Sequence, residues 1–427
     1  QGHLRLSPGQ GLSPEALFPM TAQEKQKKPG PPKKPPIREE DIQGFKYLDS
    51  FFKTLTRLHD VKDHQNRELH YDQYLALILL YFFTPVLTSL RGIQQATTLE
   101  KIQKRLGIKK TSLGSLSEAS QVFDAKLLNP LLTELAEQAL PREKDPELKQ
   151  IQQLIKAVDG TLLPALPKML WALWQDDQHR AAKLHLEMDI FNHVPTAAVI
   201  TDGNGNEKKI LRTLLAPNTI YLIDAGYAEY KLLGDIIAAL SSFVIRLKDN
   251  ADYVILEEKS LTESDIAAGI QKDLLVTLGC KSKQNDCQHP LRIIQVFHKG
   301  DENDHRPSRV SSKKTFRTKD VDYTLLLATN LLDLPAETIA LLFTRRWQIE
   351  LFFRWFKCVL GCNHLVALSQ NGLTIQVYCA LIAGMLITLW TGRKPTKRTF
   401  EMISLNFMGW ASDQELERHI EQLKSND

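Results

Sequence analysis

The stretch LLFTRRWQIELFFRWFKCVLG (341–361) is dominated by aromatic and aliphatic residues, yet it carries Arg346, Glu350 and Lys357. On a helix at 100° per residue, these three charges and Phe343 fall within about 60° of one another. Most of the apolar residues take the remaining directions, so this is a helix to bury. Buried charge is costly without a partner. The stripe must therefore face a counter-charge, a metal ion or a polyanion. Arg346 and Glu350 could also simply pair along the helix, although the order with Arg first is the weaker one.

Two aspartates extend the pattern. Asp159 closes the strand-like IKAVD and precedes Gly160, and Asp224 closes IYLID and precedes AGY. An acid at the end of an apolar strand can stand at a sheet's edge, where sites form. Each alone reads first as a turn residue, Asp before Gly being among the commonest turn signals. Together with Glu350 they would repel one another unless cations neutralise them. Hard carboxylate oxygens suit Mg²⁺ or Mn²⁺. Two such ions about 4 Å apart can activate a nucleophile and stabilise a leaving oxygen in phosphoryl transfer. Arg346 and Lys357 would then meet the phosphates of the substrate.

The elements that must position these residues are short. LIKAVDGTLL (154–163), AKLHLEMDIF (182–191), TAAVITDG (196–203) and TIYLIDAGY (219–227) read as strands, with a turn at TDGNGNE (201–207). AEYKLLGDIIAAL (228–240) has helical spacing and SFVIRLK (242–248) returns to a strand, which predicts a mixed α/β sheet. Between 249 and 335, LLVTLGC, PLRIIQVFHKG and DYTLLLATN are further strands separated by polar loops, a β-rich insertion. The charged helix follows, then an apolar helix over 374–390 and a helical tail containing DQELERHIEQL (413–423).

Ahead of the strands, residues 39–142 read as helical. Within them, 98–123 fits a helix-turn-helix, with Leu99, Ile102 and Leu106 at helical spacing and Gly107 at the turn. Lys101, Lys104, Arg105, Lys109 and Lys110 cluster there, which suits DNA binding; a packed helical hairpin with a solvated charged face fits equally well. The tail KQKKPGPPKKPP (25–36) is basic and proline-rich, so residues 1–38 are expected to be disordered.

Composition sets the outer bounds. The 427 residues suffice for two or three domains, and 43% hydrophobic with 24% charged residues is ordinary for a soluble globular protein. The net charge of +4 is too mild to establish a nucleic-acid partner. No signal-peptide pattern opens the chain, and the apolar runs at 74–83 and 375–390 fall short of a normal membrane span. Five cysteines do not suggest a disulfide framework, and an intracellular protein is the simpler expectation. Cys358, Cys362 and His364, or Cys280, Cys287 and His289, could ligate zinc, but neither set has a standard spacing.

The pattern Phe343-x2-Arg346-x3-Glu350-x6-Lys357 resembles the Tyr-Arg-Glu-Lys signature of DDE transposases of the insertion-sequence-four type. RRWQIELFFRWFK, DGTLL (159–163), KLHL (183–186), ITDG (200–203) and DAGY (224–227) are similar to that family's motifs and stand in family order over about residues 155–365. The segment from TSLRGIQQA through GSLSEASQVFD is similar as well.

The resemblance implies a ribonuclease-H-like mixed-sheet catalytic core interrupted by a β-rich insertion domain, with a helical N-terminal DNA-binding domain. The expected division is a tail at 1–38, the DNA-binding domain at 39–142, the core at 143–248 and 336–395, the insertion at 249–335, and a C-terminal helical segment at 396–427. Asp159, Asp224 and Glu350 become the catalytic, metal-binding acids for two Mg²⁺ or Mn²⁺ ions. Arg346 and Lys357, with Arg345 and with Phe343 at the signature Tyr position, become the contacts to DNA phosphates. The implied activity is cleavage at the ends of an insertion sequence and joining of 3′-hydroxyl ends to target DNA, with or without hairpin ends. The implied partners are double-stranded DNA, at terminal inverted repeats and at the target, and a second copy assembled on DNA. No membrane is involved, and the expected location is the bacterial cytoplasm, on the nucleoid. A metal-dependent nuclease on the same core and a catalytically silent DNA-binding relative are the competing readings.

Two departures stand out. Phe343 lacks the phenolic hydroxyl of the signature. The insertion contains no tryptophan, all six lying at 171, 174, 347, 355, 390 and 410. Relatives that form hairpins can stack a flipped base on an aromatic there; Tyr253, Phe297 or Phe316 could serve instead.

Overall fold

A computed structural model describes residues 35–43, 49–61, 68–139, 148, 150–176, 178–279, 287–298, 322–360 and 365–425. The basic tail expected over 1–38 lies outside the described residues as far as residue 34. Helices α1 (Asp49–Leu55), α2 (Tyr71–Phe83), α3 (Leu90–Ala96), α4 (Glu100–Leu106), α5 (Leu113–Val122) and α6 (Asn129–Gln138) come first. Strands β1 (Leu154–Pro164), β2 (Ala181–Asp189) and β3 (Val194–Asp202) follow, then α7 (Glu207–Leu214), β4 (Thr219–Ile223), α8 (Tyr230–Ala238) and β5 (Ser242–Arg246). Next are β6 (Tyr253–Glu258), α9 (Glu263–Ala267), β7 (Ile270–Leu278), β8 (Leu291–His298) and β9 (Tyr323–Thr329). The chain closes with α10 (Ala336–Arg345), α11 (Trp347–Leu360), α12 (Gln370–Thr391), α13 (Lys397–Phe407) and α14 (Asp413–Ser425).

The strands form one nine-stranded mixed sheet in the order β3-β2-β1-β4-β5-β9-β8-β7-β6. β1, β2 and β3 are antiparallel neighbours, whereas β1, β4 and β5 run parallel. A central parallel strand is covered on both faces and reads as a continuous apolar run; all five residues of β4, TIYLI, are buried. The β1–β4 pairing ends with Ala157 opposite Leu222. Asp159 and Asp224 each come two residues later, so the parallel register sets them side by side. Asp224 follows the end of β4, but Asp159 does not close its strand as expected, because β1 continues through it to Pro164, paired with β2.

The strands expected in the insertion do not make a sheet of their own. β9 pairs with β5 and β8, and β6 to β8 continue the same sheet outward. Short local runs specify strands, but which strand lies beside which is set by long-range hydrogen bonding. Asp273 of β7 and Arg292 of β8 form a buried two-pronged ion pair, Nε–Oδ1 2.7 Å and Nη2–Oδ2 2.5 Å. Arg292 also donates to the carbonyl oxygens of Leu332 and Leu334, which lead into α10.

α12 is apolar all round and must be covered on every side. Its 22 residues make it long and apolar enough to cross a membrane, contrary to the span judged from residues 375–390 alone, but it is nearly all buried within the protein. Its N-cap is Ser369, whose hydroxyl accepts from the Gly372 amide, and Gly392 closes it at φ 69°. Tyr378 donates its hydroxyl to the Ala198 carbonyl of β3, and Asn371 donates to the carbonyls of Ser120 and Phe123 at the end of α5. α2, α5 and α6 pack against it and share its core. The N-terminal helices therefore complete the core around α12, and the described residues from Ile37 onward belong to one compact unit.

Residues 341–361 were expected to be one helix. Two are found, with Arg346 between α10 and α11. The Arg346 amide bonds the Phe343 carbonyl and the Ile349 amide bonds the Arg346 carbonyl, both at 3.2 Å. These i→i+3 bonds tighten one turn without reversing the chain, because Arg346 itself keeps helical angles.

Candidate active site

The middle of β1 and the C-terminal end of β4 open onto a cavity of about 700 Å³. Asp159, Gly160 and Asp224 stand on the strand side, and α10 and α11 supply Phe343, Arg346, Glu350, Arg354 and Lys357. The added strands close the opposite wall through Val296, His298 and Tyr323, the two rings stacked with centroids 5.1 Å apart. Three acids far apart in the chain thus share one cavity with two of the expected cations. Arg345 is not among the residues lining it.

The charges in this cavity are unevenly compensated. Asp159 takes a hydrogen bond from the Gly160 amide at 2.8 Å. Burial nevertheless pushes its carboxyl up to about 6, and the nearby negative charges of Glu350 and Glu207 add to this while Arg346 opposes it. The Tyr227 phenol is also raised, chiefly by burial, with Glu207, Asp159 and Asp224 contributing. Arg346 Nη2 lies 2.9 Å from Glu350 Oε1, and its guanidinium sits 5.7 Å over the Phe343 ring. Arg346 Nε is buried with no hydrogen-bond partner among the described residues, so a donor remains for a further acceptor.

Among the described residues, no three His, Cys, Asp or Glu side chains are gathered closely enough to ligate one ion as they are placed. The donor set still suits a hard divalent cation. It offers carboxylate oxygens alone, and a bound cation would offset the burial that disfavours the charged form of Asp159.

The basic cluster near α4 is largely engaged within the chain. Lys101 donates to the carbonyls of Ile42 and Gln43, Lys104 pairs with Glu100 at 2.8 Å, Arg105 with Asp49, and Lys109 with Glu68 at 3.1 Å. Lys110 is exposed. The hairpin itself is present, with Gly107 at φ 62° between α4 and α5. Of the aromatics weighed for stacking, Phe316 lies outside the described residues, and Tyr253 and Phe297 do not line the cavity. Cys280, Cys362 and His364 also lie outside them, while Cys287 is buried and Cys358 exposed.

Residues 151–386, more than half of the chain, match the family described as Transposase DDE domain. The chain belongs to that family. It is 28% identical over 239 residues to a protein of Sinorhizobium fredii named as the transposase y4zB, covering 55% of this chain and 60% of that one. It is 26% identical over 258 residues to a Geobacillus stearothermophilus protein named as the transposase of insertion sequence element IS5377, covering 60% and 61%. A Synechocystis protein named for element IS4SA is 21% identical over 302 residues, covering 69% and 77%. The matched region thus spans about three fifths of the first two relatives. A solved piggyBac transposase synaptic complex with hairpin DNA has a TM-score of 0.36 at 11% identity, covering 89% of this chain and 83% of that one.

For this DDE transposase domain, sequence reasoning passed over several residues at the site. Arg246 and Arg354 line the cavity, as do His298 and Tyr323. Glu207 was read only as the end of the TDGNGNE turn, although an acid directly after a cap-forming Asn is a helix-start signal.

Proposed function

We propose that this chain is a DNA transposase that cuts at the ends of an insertion sequence of the four type and joins the freed 3′-hydroxyl to target DNA. The observation that carries the reading is the shared cavity: Asp159, Asp224 and Glu350 meet there with Arg346 and Lys357. The order β3-β2-β1-β4-β5, with three antiparallel strands followed by parallel ones, supports a ribonuclease-H-like core. In this reading Asp159, Asp224 and Glu350 hold a divalent cation, Mg²⁺ or Mn²⁺. Such a cation, when bound, polarises the scissile phosphate and offsets the charge of the acids. Arg346, with its unused Nε donor, and Lys357 bind the strand's phosphates on one side of the acids. Phe343 supports the Arg346 guanidinium from beneath. The aromatic wall of His298 and Tyr323 bounds the space left for the nucleotide next to the cut.

Residues 39–142 are proposed to add DNA contacts, since the exposed ion pairs of the α4 cluster are worth little and phosphate can replace them. Assembly of two copies on DNA, and action in the bacterial cytoplasm, belong to the same proposal. The deciding experiment incubates the purified chain with the terminal repeats that flank its gene, a target plasmid and Mg²⁺. Joined products establish transposition, cuts without joining establish a nuclease, and binding without cuts establishes a silent relative.

A further inference from the structure

Glu207 is the first residue of α7, directly after Asn206, whose side-chain oxygen accepts the Lys209 amide at 3.0 Å. Its carboxylate lies over two glycines. A Cβ on Gly160 would meet Oε1 at 2.7 Å, and one on Gly226 would meet Oε2 at 3.9 Å. Gly160 follows Asp159, and Gly226 lies two residues after Asp224. One carboxylate therefore lies against the backbone just beyond both acids, inside β1 at Gly160 and in the short 3₁₀ turn after β4 at Gly226. Its charge is met by Lys183 of β2, whose Nζ is 3.4 Å from Oε1 and donates to the Gly205 carbonyl at 3.1 Å. The Lys183 side chain is only 16% exposed, so this ammonium is committed to the spot.

An acid in the first turn of a helix is favoured by the helix dipole wherever the helix lies. That preference accounts for the residue type but not for its place. Here the acid is seated against Gly160 of β1 and Gly226 after β4, close enough that a Cβ on Gly160 would push its carboxylate aside. We propose that Glu207 is a fourth carboxylate of the candidate site, raising its affinity for a divalent cation, with Lys183 as the counter-charge that holds it in the cation's absence. This rests on the reading of the three acids given above.

The test measures Mn²⁺ binding to the full chain by electron paramagnetic resonance, without DNA, in the wild type, Glu207→Gln, Lys183→Gln and Asp159→Asn. Thermal melting checks that each variant is folded. Glu207→Gln keeps the shape and should weaken Mn²⁺ binding about tenfold, the lower end of what loss of a supporting group costs a metal site. Lys183→Gln removes the competing ammonium and should tighten binding, the opposite sign. A purely structural Glu207–Lys183 pair predicts lower melting temperatures for both variants and no change in Mn²⁺ affinity, which would overturn the proposal. Weaker Mn²⁺ binding by Lys183→Gln would overturn it too. If Glu207→Gln binds normally while Asp159→Asn does not, only the fourth carboxylate falls. If Asp159→Asn also binds normally, or the wild type binds no Mn²⁺, the three-acid reading falls with it.

Discussion

Arg346 reaches across one helical turn to Glu350, Nη2 to Oε1 2.9 Å, while resting 5.7 Å over the ring of Phe343. The bond crosses the junction of α10 and α11, so the tightened turn at Arg346 fixes where the guanidinium stands relative to the acid. An exposed pair of this kind contributes little. Here the Arg346 side chain is only 12% exposed, and the pair orients a partly buried acid within the cavity.

The three acids should be separable from DNA binding. Asp159→Asn, Asp224→Asn or Glu350→Gln is expected to abolish strand cleavage and leave affinity for the terminal repeat nearly unchanged, because affinity comes mainly from Lys and Arg on phosphates. Single-turnover cleavage and gel-shift titration of the three variants measure both. Wild-type cleavage by any one of them would remove that residue from the site.

Phe343 can be probed by adding and by removing groups. Phe343→Tyr keeps the ring beneath Arg346 and adds a donor at the cavity wall, worth roughly 1.5–3 kcal/mol against a charged phosphate. End binding should tighten or cleavage should speed up. Phe343→Leu removes the ring, and the lost cation–π contact should cost about 0.5–2 kcal/mol in end binding. If tyrosine slows single-turnover cleavage at equal Mg²⁺, the ring is packed away from the phosphates.

Asp159 gives the metal-free protein a particular pH dependence. Its folded carboxyl titrates at about 6, whereas an unfolded Asp does so near 3.9. Between those values the folded state holds more protons than the unfolded one, so stability falls as pH rises from about 4 through about 6 and then levels. The full shift corresponds to about 3 kcal/mol. Urea unfolding of the wild type and Asp159→Asn, near pH 4.5 and near pH 7, checks the sign. The substitution should flatten the fall; an unchanged slope would place its origin in another group.

Asp224 was legible because parallel core strands are continuous apolar runs, and an Asp closing such a run is conspicuous. Asp159 drew notice in the same way, although β1 continues past it to Pro164 through its pairing with β2. Glu350, Arg346 and Lys357 were legible because three charges on one stripe contradict an otherwise buried helix. The break at Arg346 was not, since one i→i+3 turn barely alters the angular pattern. Nor was β6, whose Val254, Ile255 and Leu256 are all exposed and show no alternation. The α4 cations looked free because Asp49 and Glu68, which pair with Arg105 and Lys109, lie 56 and 41 residues away in the chain. The continuity of the sheet was hidden for the same reason: the pairing of β9 with β5 joins residues more than 80 positions apart, such as Val244 and Thr329.

That continuity suggests a last prediction, at the pair joining the added strands to α10. Asp273 and Arg292 are 4% and 6% exposed, and Arg292 donates to the Leu332 and Leu334 carbonyls, the first of which also accepts from Lys259. Asp273→Ala leaves a buried guanidinium without its counter-charge, at an expected cost of about 3–5 kcal/mol. The double variant Asp273→Leu with Arg292→Met replaces the pair by apolar side chains and should recover most of that loss. It cannot replace the donors to the two carbonyls, so the entry to α10, and with it Phe343 and Arg346, should be held less firmly. Cleavage by the double variant is therefore expected to stay slow although its stability returns. Urea unfolding and single-turnover cleavage of the single and double variants test the two halves separately. Little destabilisation by Asp273→Ala would show the pair to be replaceable where it stands, and wild-type cleavage by the double variant would show that α10 keeps its place without Arg292.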